Sequence, residues 1–244
     1  MLILVDDMGY GDPQCYVPES KIPTPNIDKL ASEGIRFTDA HSPSSVCTPT
    51  RYAILTGRYA WRTYLKSSVL GPYSKPLLER DRLTIPKMLK EKGYSTALIG
   101  KWHLGMQWGT KKEEELPALW DRNFDISVID HSKPITEGPL AAGFDYYFGV
   151  DVPNFPPYIY IENDKIQGNP SILKPDNMYG NKGMMLPGWK LEDILPTLTL
   201  KAVKFIDDQA KNSSGQPFFL QVTTTSPHTP IVPANEFIGK SQAG

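Results

Sequence analysis

The strongest constraint on the fold is a repeated alternation of amphipathic helix and short apolar strand along the 244 residues. Apolar runs at Leu2–Val5, Tyr94–Ile99 and Pro217–Thr223 are typical of buried strands. Helical spacing of apolar residues precedes the second and third runs, from about Thr84 to Gly93 and from Leu191 to about Lys211. Helix followed by strand, repeated in this way, predicts an α/β fold in which a mixed, largely parallel sheet is sandwiched by helices.

Weaker patterns add smaller elements. A further helix is expected at Thr24–Glu33. Four more strands are expected, at Ile35–Thr38, Phe124–Ile129, Phe144–Gly149 and Tyr158–Glu162. Residues 105–190 are otherwise polar or rich in proline, glycine and asparagine. We expect them to form an irregular rim of the domain, because their aromatic residues are too plentiful for disorder.

The composition narrows the class of protein. A chain with 40% hydrophobic residues, 22% charged residues and a net charge of −1 is an ordinary globular protein with one substantial core. Without a positive field, a basic run or an interleaved aromatic patch, the sequence predicts no nucleic-acid partner. No apolar stretch approaches membrane-spanning length, and the opening Met1–Val5 lacks the features of a signal peptide. Asn212–Ser214 is a formal glycosylation sequon, a pattern that is common by chance.

Cys47 stands at the predicted start of a helix. Pro49 fits the first helical turn, where its missing N–H costs nothing, so Cys47 is expected at the positive, N–H-rich helix end. Arg51 follows one turn along the same face, from where it can reach back toward Cys47 or a nearby carboxylate. Anions bind and cysteines react at such ends. The alternatives are an unreactive cysteine that caps the apolar segment Ala53–Leu55, or one that pairs with Cys15.

Polar side chains occur at or shortly after the carboxyl ends of three of the predicted strands. Asp6 and Asp7 end the first strand, where adjacent carboxylates suit a hard divalent cation, although they also suit a turn. Lys101 and His103 follow the second strand, and in an extended segment they would face one side and suit a tetrahedral anion. His228 ends the third, where its near-neutral titration suits proton transfer, although such a histidine is more often structural. Ligands bind at this edge of open α/β sheets.

Three segments together resemble the sulfatase family, within the alkaline-phosphatase-like superfamily. Residues 47–57 read Cys-x-Pro-x-Arg followed by Leu-Thr-Gly and match the sulfatase signature at each defining position. Residues 3–12 resemble the opening of sulfatases, and residues 100–105 resemble their Gly-Lys-Trp-His-Leu-Gly block. The likeness covers most of the chain and is loose between about residues 109 and 189. It implies the fold of that superfamily.

The resemblance implies a nucleophile and a metal. Cys47 would be oxidised by a formylglycine-generating enzyme to formylglycine, an aldehyde whose hydrate carries two hydroxyls. One hydroxyl would attack the sulfur of a sulfate ester, and the other would afterwards expel sulfate. Asp6 and Asp7 would bind calcium, with magnesium as the alternative, and the ion would also contact the side chain at position 47.

The resemblance also implies roles for four further side chains. Lys101 would contact the sulfate group, and His103 would support the nucleophile beside it. His228 would touch sulfate and protonate the leaving alcohol. Arg51 would be one of the catalytic residues, because its guanidinium can reach back toward the modified side chain at position 47.

The resemblance finally implies an extent and a setting. Further along the chain, sulfatases carry an Asp-Asn pair that completes the metal site and then a second sulfate-binding lysine, and neither is found in this sequence. Residues 1–244 are therefore expected to be the N-terminal part of a catalytic domain, truncated before the metal site is complete. The full-length protein is expected to be secreted, periplasmic or lysosomal and to act on a sulfated small molecule or glycan. Two alternatives stay open: a phosphate or phosphonate ester hydrolase on the same fold, and a non-catalytic binder of sulfated glycans if Cys47 is unmodified.

Overall fold

The computed structural model describes residues 1–212 and 215–243, so the sequon at 212–214 lies partly outside the described residues. In those ranges the α-helices are α1 (Pro25–Glu33), α2 (Cys47–Thr56), α3 (Ile85–Glu91) and α4 (Ile194–Lys211). The strands are β1 (Leu2–Asp6), β2 (Ser95–Lys101), β3 (Tyr146–Val150), β4 (Tyr160–Glu162), β5 (Lys165–Gln167), β6 (Ile172–Leu173), β7 (Met184–Met185) and β8 (Phe218–Pro227).

Six of these strands form one mixed sheet, in the order β1-β8-β2-β3-β4-β5. Pairing is parallel from β1 through β8 and β2 to β3, and antiparallel from β3 through β4 to β5. The carboxyl ends of the four parallel strands therefore lie at one edge. The predicted mixed, largely parallel sheet is confirmed.

Helices cover both faces of this sheet. On one face, Leu98 of β2 belongs to a buried cluster with Tyr52 and Leu55 of α2. On the other face, Ile99 of β2 belongs to a second cluster with Leu198 of α4. Successive residues of β2 thus point into opposite layers, as the pleat requires. Burial on both faces explains why the central strands read as continuous apolar runs.

All of the predicted helices and most of the predicted strands are confirmed, but two predicted strands are wrong. Residues 35–38 form a loop in which Phe37 is 67% exposed, because no strand of the described chain pairs with them. Residues 124–129 contain a short 3-10 turn instead of a strand. The Asp125 carboxylate accepts the backbone N–H of Ser127 at 2.9 Å and starts that turn.

Gly100 lies where two strands approach too closely for a side chain. Its φ is 132°, and a Cβ at this position would lie 1.8 Å from the carbonyl oxygen of Thr223 in β8. Since the neighbouring atom is backbone, the contact can be relieved only by separating the strands. Gly100 thus fixes the spacing of β2 and β8 one residue before β2 delivers Lys101 to the sheet edge.

We expect Gly100→Ala to lower the free energy of unfolding by at least about 4 kcal/mol, because a core backbone clash must be relieved. Gly57 is the matched control, since it has a φ of 65° but open space around a Cβ. Gly57→Ala is expected to cost only about 1–2 kcal/mol for its left-handed backbone. Urea unfolding measures both losses, and equal losses would contradict the close approach.

Candidate active site at the carboxyl edge of the sheet

Helix α2 begins at Cys47, as predicted, with Pro49 in its first turn. The preceding Val46 is extended backbone, and its side chain caps none of the helix N–H groups. The helix ends at Gly57, whose left-handed backbone lets its N–H donate to the Ala53 carbonyl at 2.8 Å. The first turn, which contains Cys47, therefore presents the positive end of the helix.

Asp6, the last residue of β1, holds the site together through two buried ion pairs. Its Oδ2 accepts a hydrogen bond from Lys101 Nζ at 2.7 Å, and its Oδ1 lies 3.3 Å from Arg51 Nη2. Arg51 Nη1 also donates to the backbone carbonyl of Lys101 at 2.7 Å. All three residues are at least 95% buried. Burial alone would raise the pKa of Asp6, but the charges of Lys101 and Arg51 outweigh it and hold that pKa below its usual value.

Cys47 lies directly beside this cluster. Its Sγ is 3.6 Å from Lys101 Nζ, and ligand atoms of Asp6, Cys47 and His228 lie within 4.8 Å of one another. Burial would raise the pKa of the Cys47 thiol, but the hydrogen bond with His228 and the charges of Lys101 and Arg51 lower it. The same hydrogen bond raises the pKa of His228, against the effect of burial. A thiolate and an imidazolium thus stabilise one another.

Asp7 differs from its neighbour Asp6 in both backbone and exposure. Its φ of 65° turns the chain at the tip of β1, and its side chain is 55% exposed. Asp7 Oδ2 lies 3.7 Å from His228 Nε2. The other ring nitrogen of His228, Nδ1, donates to the Thr229 carbonyl at 2.7 Å. Asp6, Asp7 and Cys47 line a cleft of about 240 Å³.

The sequence pattern predicts that His103 faces the same side as Lys101 in an extended segment, but the structure differs. The φ of His103 is 53°, so the chain turns after β2 and the assumption of an extended segment is wrong. The ring is buried, its Nε2–H donates to the Leu70 carbonyl at 2.8 Å, and its Nδ1 has no hydrogen-bond partner in the described part of the chain. Burial, followed by the charges of Lys101 and Arg51, lowers the pKa of His103 well below its usual value. The imidazole is therefore neutral and offers a buried acceptor.

Two residues that the sequence analysis missed hold this turn in place. Thr48 is fully buried; its Oγ1 donates to the His103 carbonyl at 3.0 Å and accepts the Leu70 N–H at 3.2 Å. Asp151, directly after β3, accepts the His103 N–H at 3.1 Å. Burial raises the pKa of Asp151 to about 7, although the hydrogen bond from the His103 N–H and the charge of Lys101 oppose the shift. Asp151 is a polar residue at a strand end, so the pattern that found Asp6 could have found it, whereas no sequence signal marks Thr48.

The sheet edge thus collects Asp6, Arg51, Cys47, Lys101 and His228, with Asp7 on the outside and His103 behind. A family model described as Sulfatase matches residues 1–244. The chain belongs to the sulfatase family. The roles assigned above to individual residues stay predictions.

Relatives of known activity share this family. The sulfatase chain is 32% identical over 280 residues to an N-acetylgalactosamine-6-O-sulfatase of Bacteroides thetaiotaomicron, covering 99% of this chain and 50% of that protein. It is 33% identical to human arylsulfatase A, covering 100% of this chain and 44% of that protein. The chain spans about half the length of the curated relatives it matches.

A solved structure connected with glycosaminoglycan metabolism by Bacteroides thetaiotaomicron is also similar. The TM-score is 0.79 at 30% sequence identity, and the match covers all of this chain and 54% of that one. Within the described residues, none of the helices is both long and apolar enough to cross a membrane.

The two cysteines of the unmodified protein are expected to react at different pH. The pKa of Cys47 is lowered, whereas desolvation and the Asp28 carboxylate raise the pKa of Cys15. Since the thiolate is the nucleophile, iodoacetamide should alkylate Cys47 at lower pH than Cys15 in chelator-treated protein. Peptide mass spectrometry across pH 5–9 measures both rates, with Cys15→Ser and Cys47→Ser as controls. Faster alkylation of Cys15 below neutral pH would contradict the described environment of Cys47.

Proposed function

We propose that the intact protein hydrolyses sulfate esters to an alcohol and inorganic sulfate. In this proposal Cys47 is converted to formylglycine, and a divalent cation binds beside it. The observation that carries the proposal is the gathering of Cys47, Asp6, Lys101 and His228 at the positive end of α2. A nucleophilic position, an anion-binding ammonium and a proton donor close to one another are what ester hydrolysis requires.

The sulfate group is expected to bind between Lys101 and the first turn of α2. Lys101 and Arg51 are two cations that share one buried carboxylate, Asp6, so this inner cluster carries a net positive charge at neutral pH. A net positive charge next to position 47 attracts an anionic ester that the weakly negative protein as a whole would not. The N–H groups of the helix end add to that attraction.

His228 is proposed as the proton donor to the leaving alcohol. Its side chain is 27% exposed, so it can meet an entering substrate. Its Nδ1–H is committed to Thr229, which leaves Nε2 as the ring nitrogen that can exchange protons with a substrate. His103 is proposed to support the nucleophile from behind, because its buried Nδ1 is an acceptor without a partner in the described residues.

The donor atoms fit a hard divalent cation once position 47 carries oxygen in place of sulfur. Asp6 is ionised and Asp7 is exposed, and both offer the carboxylate oxygens that calcium and magnesium prefer. Two carboxylates fill only part of a calcium shell of about six to eight oxygens, so further ligands are required. When bound, the cation would acidify a hydroxyl on residue 47 and polarise a sulfate oxygen.

The substrate class is proposed from the relatives. One is an N-acetylgalactosamine-6-O-sulfatase and others are arylsulfatases, so we propose a sulfated sugar or an aryl sulfate as the ester. A formylglycine-generating enzyme is the implied partner, since Cys47 cannot supply an oxygen nucleophile itself. A site of action outside the cytosol is proposed on the family resemblance alone.

Conversion of Cys47 is tested by mass and by turnover in the intact protein. The peptide that contains Cys47 should be lighter by about 18 Da after conversion of the thiol to the aldehyde. Cys47→Ala should lower kcat on an aryl sulfate by at least about 10³-fold, because the nucleophile is lost. Cys15→Ala, the matched control, should retain the parent rate. A matched aryl phosphonate assayed beside the sulfate must be the poorer substrate; faster phosphonate turnover would favour the phosphonate hydrolase instead.

The role of His228 is tested by varying the leaving group. His228→Gln should reduce kcat/KM by about 10²–10⁴-fold for alkyl or weakly acidic phenyl sulfates, whose leaving oxygens need a proton. The loss should be much smaller for a nitrophenyl sulfate, whose leaving group departs as an anion. An equal loss across the whole series would assign His228 to binding rather than to proton transfer.

A further inference from the structure

We propose that the same chain, with Cys47 still a thiol, binds a thiophilic divalent cation such as Zn²⁺ through Asp6, Cys47 and His228. The proposal does not depend on sulfate ester hydrolysis, because it concerns the form of the protein that lacks the formylglycine nucleophile. It makes the unmodified chain a metal-binding protein in its own right.

The first argument is the spacing of three different donor types. One atom each of Asp6, Cys47 and His228 lies within 4.8 Å of the others. Ligands around a tetrahedral zinc ion lie on the order of 3.5 Å apart, given bonds of about 2.0–2.3 Å. Side-chain rotations that move each atom by about 1 Å or less therefore close the site. Carboxylate, thiolate and imidazole are the donors that zinc takes in proteins.

The second argument is the orientation of the imidazole. His228 Nδ1–H donates to the Thr229 carbonyl at 2.7 Å, which fixes the ring and leaves Nε2 with its lone pair once the ring is neutral. A backbone carbonyl in this position is the usual outer partner of a metal-ligating histidine. Nε2 is also the atom 3.7 Å from Asp7 Oδ2, so Asp7 or a water in the cleft can take a fourth position.

The third argument is the local charge. Once the His228 ring is neutral, as metal binding through Nε2 requires, Asp6, Asp7 and a Cys47 thiolate provide three negative charges against two positive charges on Lys101 and Arg51. A divalent cation is therefore attracted once the thiol has lost its proton to solvent and the sulfur donates to the metal. Calcium would not take this site, because sulfur and imidazole nitrogen are poor ligands for a hard cation.

The test uses protein whose Cys47 is shown by intact mass to be a thiol and which has been stripped with a chelator. Cd²⁺ is the probe, because its bond to a thiolate gives an ultraviolet charge-transfer band. We expect one equivalent of Cd²⁺ to produce the band, Zn²⁺ to remove it by competition, and Ca²⁺ to leave it unchanged. Zn²⁺ should also protect Cys47 from iodoacetamide by at least about tenfold in rate.

Two substitutions and one control identify the ligands. Cys47→Ser should abolish the band. His228→Gln should weaken Cd²⁺ binding by about tenfold or more, because loss of a direct ligand costs at least as much affinity as loss of an outer-shell partner. Cys15→Ser should behave as the parent. A band that survives Cys47→Ser, disappears with Cys15→Ser, is unaffected by His228→Gln or never forms would overturn the proposal. Because no readout here is hydrolysis, a failed zinc site leaves the sulfatase proposal standing, and the reverse also holds.

Discussion

The buried carboxylate of Asp6 is the interaction on which the candidate site depends. Asp6 is the last residue of β1, and its carboxylate accepts a hydrogen bond from Lys101 at the end of β2. Arg51 Nη2 of α2 lies 3.3 Å from the other carboxylate oxygen. These elements are separated by many residues along the chain, so the ion pairs fix the strand tips and the helix start relative to one another. Removing the shared carboxylate would leave two buried cations uncompensated, and breaking a buried ion pair in this way costs about 3–5 kcal/mol. The same arrangement leaves an excess positive charge directly beside Cys47.

The parallel sheet makes this arrangement possible. Parallel pairing of β1, β8, β2 and β3 puts all of their carboxyl ends at one edge, where Asp6, His228, Lys101 and Asp151 follow. Helix α2 points its positive end at the same edge and carries Cys47 there. Sheet topology and side-chain chemistry therefore agree on one location for the candidate site. At this location, residue 47 as a thiol would favour a thiophilic cation such as Zn²⁺, whereas residue 47 as formylglycine would favour a hard cation such as calcium.

The sequence predicts the sheet and its polar edge well, because both follow from local patterns. Buried parallel strands are continuous apolar runs, and a polar residue at the end of such a run has only one edge at which to lie. Predictions failed where contacts between residues distant in the sequence determine the local structure. Phe37 has strand propensity but no strand to pair with, and His103 turns away because Thr48 and Asp151 hold its backbone. Tertiary hydrogen bonds of this kind leave no periodic signal.

The central claim, that the ion pairs of Asp6 assemble the site, is tested most directly by a double-mutant cycle. Urea unfolding of the parent, Asp6→Asn, Lys101→Met and the double variant gives the coupling free energy between the two side chains. The account predicts a coupling of at least about 1 kcal/mol, because Asp6→Asn leaves Lys101 buried without its carboxylate, and Lys101→Met leaves Asp6 with Arg51 as its remaining cation. Losses that add to within about 0.3–0.5 kcal/mol would show that the two side chains do not stabilise one another and would contradict the account.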